Sequence, residues 1–475
     1  MLKSILHLLG SNLTIKITAI IFSLYIAKNY GAGILGSYVL FISVYGVGLI
    51  AAKLGLFYAL EKRISEIRKD ENQLISTSLL INTLLLCITI LVIFFLNGFL
   101  ERYIGVEHVL YYLISCIVLG NLSNFTTTLI KAKKKIIVYS RVIFIKEVGP
   151  KVFSIIFLFM YNEISMVFLA IIISEIFAFT YSLFHVNRFK LVRPSKESFR
   201  SLYDLTKYNA VLEIRALTFN WIDVWMIGFF LSRELVGVYQ VAWQIASGIL
   251  IVNKTLTTAY FPYFSEWGAN KKLHLIKHYL KENMYLFLLF PIPIFVGSII
   301  YAERILLLFN EEFVVGSYVL MILMICTIYR SVQELYSKVL VAMDYSKLTF
   351  IASTYSGIAN ILLNYSLVQL MGIEGAALST TLSSIINFYI CSYFLNKTLN
   401  HKLNYQKLLP NLYASLLMLF VVFLLNNILR INIFIGIGIG IFVWFVVLIL
   451  NNTYRIELLN AISKSEKRRG EVTNA

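Results

Sequence analysis

Five stretches of this sequence place ionisable and hydrogen-bonding side chains at helical spacing inside otherwise apolar runs. Asn12, Lys16 and Ser23 follow one face of a helix, as do Asn209, Glu213, Asn220 and Asp223. Gln244, Ser247, Lys254, Thr255 and Thr258 make a polar sector, and Arg330, Glu334 and Lys338 form an i, i+4, i+8 ladder. Arg141, Lys146, Glu147 and Lys151 share the fifth stretch. Lysine and arginine in a hydrated cavity give charge-assisted hydrogen bonds to an anionic ligand, and Asn, Ser and Thr beside them can bind hydroxyls. Lys16, Lys53 and Lys254 have no carboxylate near them in sequence, so they are the first candidates to line such a cavity. Arg141, Arg215 and Arg330 are the further candidate cavity cations. Glu213, Asp223 and Glu334 are candidates for holding a coupling ion or for pairing with a cation.

Each group also has a structural reading. Glu147–Lys151 and Arg330–Glu334–Lys338 can neutralise themselves along their own helices. Arg141 and Lys338 can snorkel if they lie near a membrane surface. Asp223 stands eight residues from Arg215, about 80° around a helix, so a cationic partner for it is expected from another helix.

These charges matter because of what surrounds them. The chain is 59% hydrophobic and only 14% charged, with a mean hydropathy of +0.78, whereas a soluble domain carries about a quarter charged residues. So large an apolar surplus has to face lipid, where a charge near the bilayer centre costs roughly 2.5–3.5 kcal/mol on insertion scales. Apolar runs long enough for a ~30 Å hydrocarbon core recur along the whole length and predict about fourteen transmembrane helices. Their length and uniform apolarity exclude the alternating strands of a barrel. The fold class is therefore an all-α integral membrane protein. Pro262, Pro291 and Pro293 are expected to kink or end spans eight and nine. Gly436 and Gly440 give a GxxxG spacing in the last span, read as plain helix packing.

The net charge of +17 does not point to nucleic acid, because the basic residues sit in short loops between apolar runs. One set of loops carries Lys62/Arg63/Arg68/Lys69, Lys131/Lys133/Lys134/Lys135, Arg188/Lys190/Arg193/Lys196/Arg200, Lys271/Lys272/Lys277/Lys281 and Lys397/Lys402/Lys407, and the tail adds Lys464, Lys467, Arg468 and Arg469. The alternate set holds single residues, Lys28, Arg102, Arg233, Arg304 and Arg430. The positive-inside rule then puts both termini in the cytoplasm. Cys87, Cys116, Cys326 and Cys391 all lie in apolar runs without a CxxC or Cys/His partner, which supports neither a disulfide framework nor a zinc site. No GxxxxGK[ST] motif occurs, so no ATP site is expected and an ion gradient or the membrane potential is the remaining energy source.

The chain also repeats itself. Leu35-Gly36-Ser37-Tyr38 after the first span matches Val236-Gly237-Val238-Tyr239 after the seventh, an offset of 201 residues that also places Lys53 on Lys254. This predicts a six-helix bundle over 1–186, a basic cytoplasmic linker over 187–206 and a second six-helix bundle over 207–396. Two extra helices and a basic tail complete the chain over 397–475. Transporters built from such repeats place the substrate path between the halves.

Several segments in order carry a family resemblance: Gly33-Ile34-Leu35-Gly36-Ser37-Tyr38, Asn220-Trp221-Ile222-Asp223-Val224-Trp225-Met226-Ile227-Gly228, Leu235-Val236-Gly237-Val238-Tyr239-Gln240-Val241-Ala242, Phe261-Pro262, and Gly372-Ile373-Glu374-Gly375-Ala376-Ala377-Leu378-Ser379-Thr380. Across essentially the whole chain it resembles the polysaccharide-transporter branch of the multidrug/oligosaccharidyl-lipid/polysaccharide exporter superfamily, which includes O-antigen flippases. The resemblance implies a V-shaped pair of bundles, alternating access, and an undecaprenyl-diphosphate-linked glycan as cargo at a bacterial inner membrane. Membrane lipids and other polysaccharide-assembly proteins would be its partners, and it would be a transporter with no cofactor, not an enzyme. An ion-coupled multidrug-type antiporter shares the fold but relies on cavity carboxylates without excess cations. A membrane-embedded polysaccharide polymerase needs a long periplasmic loop, which this sequence lacks.

Overall fold

The computed structural model describes residues 2–66, 71–186, 189–400, 405–429 and 432–451, with the side chains of 2–13, 215–219, 405 and 429 outside the described set. Asn12, Arg215, the loop cations Arg68, Lys69, Arg188, Lys402 and Arg430, and the basic tail residues therefore fall outside it. The described residues form a succession of helices and no strand. They are α1 (Leu2–Ala51), α2 (Leu56–Ser65), α3 (Glu71–Phe95), α4 (Asn97–Ile104), α5 (Val109–Ala132), α6 (Ile136–Tyr161), α7 (Ser165–His185) and α8 (Lys196–Phe230). After them come α9 (Arg233–Gly248), α10 (Leu250–Ala269), α11 (Leu273–Asn283), α12 (Tyr285–Leu288), α13 (Pro291–Leu307), α14 (Ser317–Ala342), α15 (Ser346–Leu399), α16 (Leu409–Leu429) and α17 (Ile433–Leu450).

Among the described residues nine helices are long and apolar enough to cross a membrane, or ten if α9 and α10, bent by 41°, make one span. The difference from fourteen has two physical sources. Where a loop was expected after the first span, α1 runs on through a single break at Gly31 (φ 79°). In the same way α15 continues through Gly372 (φ 62°), because glycine alone takes these backbone angles without strain. The charge-bearing α6 and α8, of 26 and 35 residues, are long enough to span but carry more ionised groups than an apolar span does.

By proximity the chain gathers into two compact units. The first is Met1–Gln244 with Leu308–Phe313 and Gly357–Ser379, and the second is Ile245–Leu307 with Val314–Ser356 and Thr380–Ala475. This cut follows contacts. The division at 187–206 follows internal repetition, a separate criterion. Part of that segment is itself helical: α8 starts at Lys196, where Ser195 accepts the backbone N–H of Ser198 and Glu197 sits in the first turn, both favourable at a helix N-terminus.

Small residues let the helices of the first unit approach closely. Gly120 of α5 lies under the Tyr45 hydroxyl of α1, Gly149 of α6 lies on Ser174 of α7, and Phe41 stacks on Phe168 with centroids 4.2 Å apart. In α17, Gly436 is buried and Gly440 faces Val422 and Met418 of α16, while Gly438 has open space around it. The GxxxG spacing is thus spent on helix packing within the chain.

The second unit shows how the prolines are accommodated. Pro291 and Pro293 lack the N–H groups that would pair with the carbonyls of Phe287 and Leu289, four residues back. Asn253 of α10 donates its amide to the Phe287 carbonyl at 3.1 Å. Asn411 of α16 donates to the carbonyls of Leu288 and Leu289 at 2.9 and 3.3 Å, and its own carbonyl accepts the Trp444 indole N–H of α17 at 2.9 Å. Buried asparagines from neighbouring helices thus satisfy the backbone groups the prolines free, as a bilayer interior requires. Asn411→Leu is expected to cost about 1–3 kcal/mol for each polar group it strands. Thermal unfolding in detergent reads this as a lower midpoint, and an unchanged midpoint would show that these groups have other donors.

Candidate functional site

In the first unit, α1 ends at Ala51, and the chain turns through Leu54 (φ 42°) and Gly55 (φ 78°) into α2. The carbonyl of Ala52 accepts the buried Asn82 amide of α3 at 2.8 Å. Lys53 therefore stands in a break between helices and not within the second span, as its sequence neighbours suggested. Its Nζ lies 3.2 Å from Glu213 Oε1 of α8, and Glu213 Oε2 accepts the Gly55 N–H at 3.0 Å. A side chain at Gly55 would collide with the α8 backbone at Asn209 and Ala210, so only glycine lets α8 come close enough for this pairing.

A second pair lies deeper. Lys146 of α6 is 3.2 Å from Glu175 of α7, with side chains 11% and 5% exposed, and it donates to Ser123 Oγ at 3.0 Å and Asn124 Oδ1 at 2.7 Å. Tyr45 of α1 donates its hydroxyl to Glu175 Oε1 at 2.8 Å. Glu175 was absent from the sequence candidates. The signal was present, a lone carboxylate in the apolar run Ile171-Ile172-Ile173-Ser174-Glu175-Ile176-Phe177. Lys146 was noticed as part of a charged stretch, but only the fold shows that it faces α7.

Asp223, also on α8, accepts the Tyr239 hydroxyl at 2.7 Å and the Asn364 amide at 2.8 Å. Tyr239 stood out in sequence only as part of the repeat and family motifs, and Asn364 did not. Ten residues of helix put Glu213 and Asp223 about 15 Å apart along the axis, so the polar stripe of α8 serves two separate places.

In the second unit, half-buried Glu334 of α14 has Lys254 of α10, Lys338 and Arg330 as its charged neighbours. Lys338 also lies over the Phe261 ring, 5.8 Å from its centroid. Lys53 thus has a carboxylate of another helix at salt-bridge distance, and Lys254, its match in the repeat, has one near enough to act on electrostatically. Of the remaining candidates, Lys16 is half-buried on α1. Arg141 is exposed with Nη1 3.4 Å from the Tyr181 hydroxyl, and Arg215 lies outside the described side chains. Lys151 pairs with Glu147 at 3.6 Å on its own helix, the self-neutralisation its spacing allows. The second unit also holds an apolar cavity of about 400 Å³, lined among others by Phe290, Ile294, Met324, Met418, Val422 and Trp444.

The repeated glycines complete the geometry of the first unit. A Cβ on Gly36 would fall 1.8 Å from the carbonyl oxygen of Arg233, and one on Gly237 would fall 2.2 Å from that of Ala32. The two motifs that revealed the repeat pack against each other, backbone to backbone.

The family model described as polysaccharide biosynthesis protein matches residues 1–267. The chain belongs to the polysaccharide biosynthesis protein family. A second model, MatE, matches residues 213–366. Among curated proteins this family member is 26% identical over 419 residues to the probable low-salt glycan biosynthesis flippase Agl15 of Haloferax volcanii, covering 88% of each chain. It is 29% identical over 195 residues to the probable flippase AglR of the same organism, covering 40% of this chain and 41% of that one. Its fold is similar to that of lipid II flippase MurJ in an inward closed conformation, with TM-score 0.79, 17% identity, and 94% and 98% of the two chains covered. It is also similar to an inward-facing multidrug resistance MATE transporter of the MOP superfamily, with TM-score 0.61, 12% identity, and 81% and 94% covered. The expected exporter-superfamily fold is therefore the one observed, and the chain is a multi-pass membrane protein.

Proposed function

We propose that this protein is a flippase that moves an undecaprenyl-diphosphate-linked oligosaccharide from the cytoplasmic to the outer leaflet of a bacterial inner membrane by alternating access. The observation that carries the reading is the placing of cations beside carboxylates of other helices. Lys53 meets Glu213 in the first unit, and the repeat-matched Lys254 neighbours Glu334 in the second. Cations so placed suit a diphosphate, whose dehydration without partners costs several kcal/mol per charge. The apolar cavity of the second unit suits a prenyl chain, and the glycan flippases among the relatives support the cargo class. Both termini lie in the cytoplasm on this reading. The breaks at Gly31 and Gly372 and the charged α6 and α8 bring the spans to fourteen, in two six-helix bundles and a C-terminal pair. Asp223 holds the coupling ion or exchanges ion-pair partners during the cycle.

The test is reconstitution. Purified protein in liposomes should flip a fluorescent polyprenyl-diphosphate oligosaccharide, assayed by reagent access from one side. Because the relatives named as flippases are archaeal, undecaprenyl and other polyprenyl carriers belong in the same experiment. Asp223→Asn keeps the shape and removes the charge, so it should slow flipping and change its dependence on ion gradients. Wild-type rates and gradient dependence in that variant would make Asp223 a packing residue. The MatE match over 213–366 favours one competing reading, an ion-coupled multidrug-type antiporter of the same fold. Uptake of a cationic dye without glycan flipping would establish that alternative.

A further inference from the structure

We propose that Glu213 and Glu175 are built-in competitors for the anionic head of the cargo. In the cargo-free chain they hold Lys53 and Lys146, and a diphosphate displaces them, each freed carboxylate then taking up a proton. The inference rests on the flippase reading and adds to it a further cation, Lys146, and a proton uptake linked to cargo binding.

Two ion pairs of the first unit carry it. Lys53–Glu213, at 3.2 Å, has side chains 22% and 25% exposed, so water and a ligand reach it. Lys146–Glu175, also at 3.2 Å, is nearly enclosed, and the Tyr45 hydroxyl holds the other carboxylate oxygen. A buried pair of this kind is a poor stabiliser, since its desolvation offsets its attraction, and an ionisable pair inside a membrane calls for another use. Lys53 and Lys146 also act on each other electrostatically.

The exchange balances. A carboxylate–ammonium pair, a diphosphate oxygen and a proton from water give a neutral carboxylic acid and an ammonium–phosphate pair; the lysine stays protonated throughout. At enclosed Glu175 a carboxylate left without its cation is too costly to stay ionised, and at Glu213 the negative diphosphate beside it favours the neutral acid. The groups facing Glu175 are Tyr45 of α1, Cys116 of α5 and Lys146 of α6, while Glu147 acts on Tyr45 and Lys146. Glu213 faces Lys53 and the Gly55 N–H. Cargo binding and proton binding then favour each other, so a lower pH at the loading face strengthens binding.

Titration calorimetry of the purified full chain with inorganic pyrophosphate, in two buffers of different ionisation enthalpy, reads proton uptake directly. Pyrophosphate meeting cations on its own releases protons, so uptake has the opposite sign. Wild type should take up protons on binding, and Lys53→Ala should bind about tenfold more weakly or worse. Glu213→Gln should bind about 3–10-fold tighter with less uptake, because it removes the competitor and keeps its shape. Glu175→Gln should do the same. If that buried variant fails to fold, Glu213→Gln on its exposed pair decides the question alone. Binding without uptake, no binding, or unchanged affinity in Glu213→Gln overturns the proposal, and unchanged affinity in folded Glu175→Gln overturns its Lys146 half. Transport is not measured here. A chain that passes these tests but flips no glycan loses the flippase reading only, and one that flips but fails them loses this inference only.

Discussion

Gly36→Val is expected to abolish transport and to lower the thermal stability of the first unit. The reason is a distance: a Cβ at this position would sit 1.8 Å from the Arg233 carbonyl oxygen and 3.2 Å from the Gly237 nitrogen. Nothing flexible is there to move aside, because the obstacle is backbone. Even Gly36→Ala must push the start of α9 away, at the ~1–3 kcal/mol typical of overpacking. Gly237→Ala meets Ala32 in the same way and should behave alike. Nearby, the Ala32 N–H donates to Glu312 at 2.7 Å, so the segment beside the Gly31 break is held from a second direction. On the proposed alternating-access reading, a side chain between these two segments also disturbs the packing that the cycle works through. Gly438→Ala is the control, since open space surrounds that glycine; its effect should stay within ~0.5 kcal/mol. Liposome flipping and thermal unfolding, measured together, check the prediction. Wild-type values of both in Gly36→Val would mean that the two backbones do not touch.

Loss of flipping with retained folding is likewise expected when Lys53 and Lys254 are replaced together by alanine. Each removal takes away charge-assisted bonds to an anionic cargo, worth about 2–5 kcal/mol where the contact is desolvated. Each also leaves a carboxylate, Glu213 or Glu334, short of a cation. The single variants should be impaired and the double variant inactive. Lys→Arg at both positions should keep part of the activity, since charge is retained while the planar guanidinium fits differently. Adding Glu213→Gln to Lys53→Ala removes the stranded carboxylate and should recover stability but not flipping. Full complementation of a flippase-deficient strain by the double alanine variant would remove both lysines from the cargo path.

What the sequence determined on its own were the features written in local periodicity and composition. Uninterrupted apolar runs dictate helices in lipid, because no other open backbone satisfies its hydrogen bonds there. The ordered motifs around Gly36, Asp223, Gly237 and Gly372 were enough to point to the family. The repeat put Lys53 and Lys254 in register. Helical spacing also showed that Lys151 could answer Glu147 without help from the rest of the fold. Partnership between helices was beyond its reach, since it depends on which faces meet across gaps of many residues. Lys53 seemed to lack a carboxylate because Glu213 lies 158 residues from the turn at Gly55. Glu175 went unnoticed because its meaning comes from Tyr45, 130 residues away, and from Lys146 on the neighbouring helix. That Gly31 and Gly372 bend continuous helices, and that Asn253 and Asn411 serve carbonyls freed by Pro291 and Pro293, was likewise settled in three dimensions. A residue's type and spacing fix what it can donate, accept or pack. Tertiary structure chose the partner, because only packing decides which of those capacities is met from another helix and which is left for a ligand.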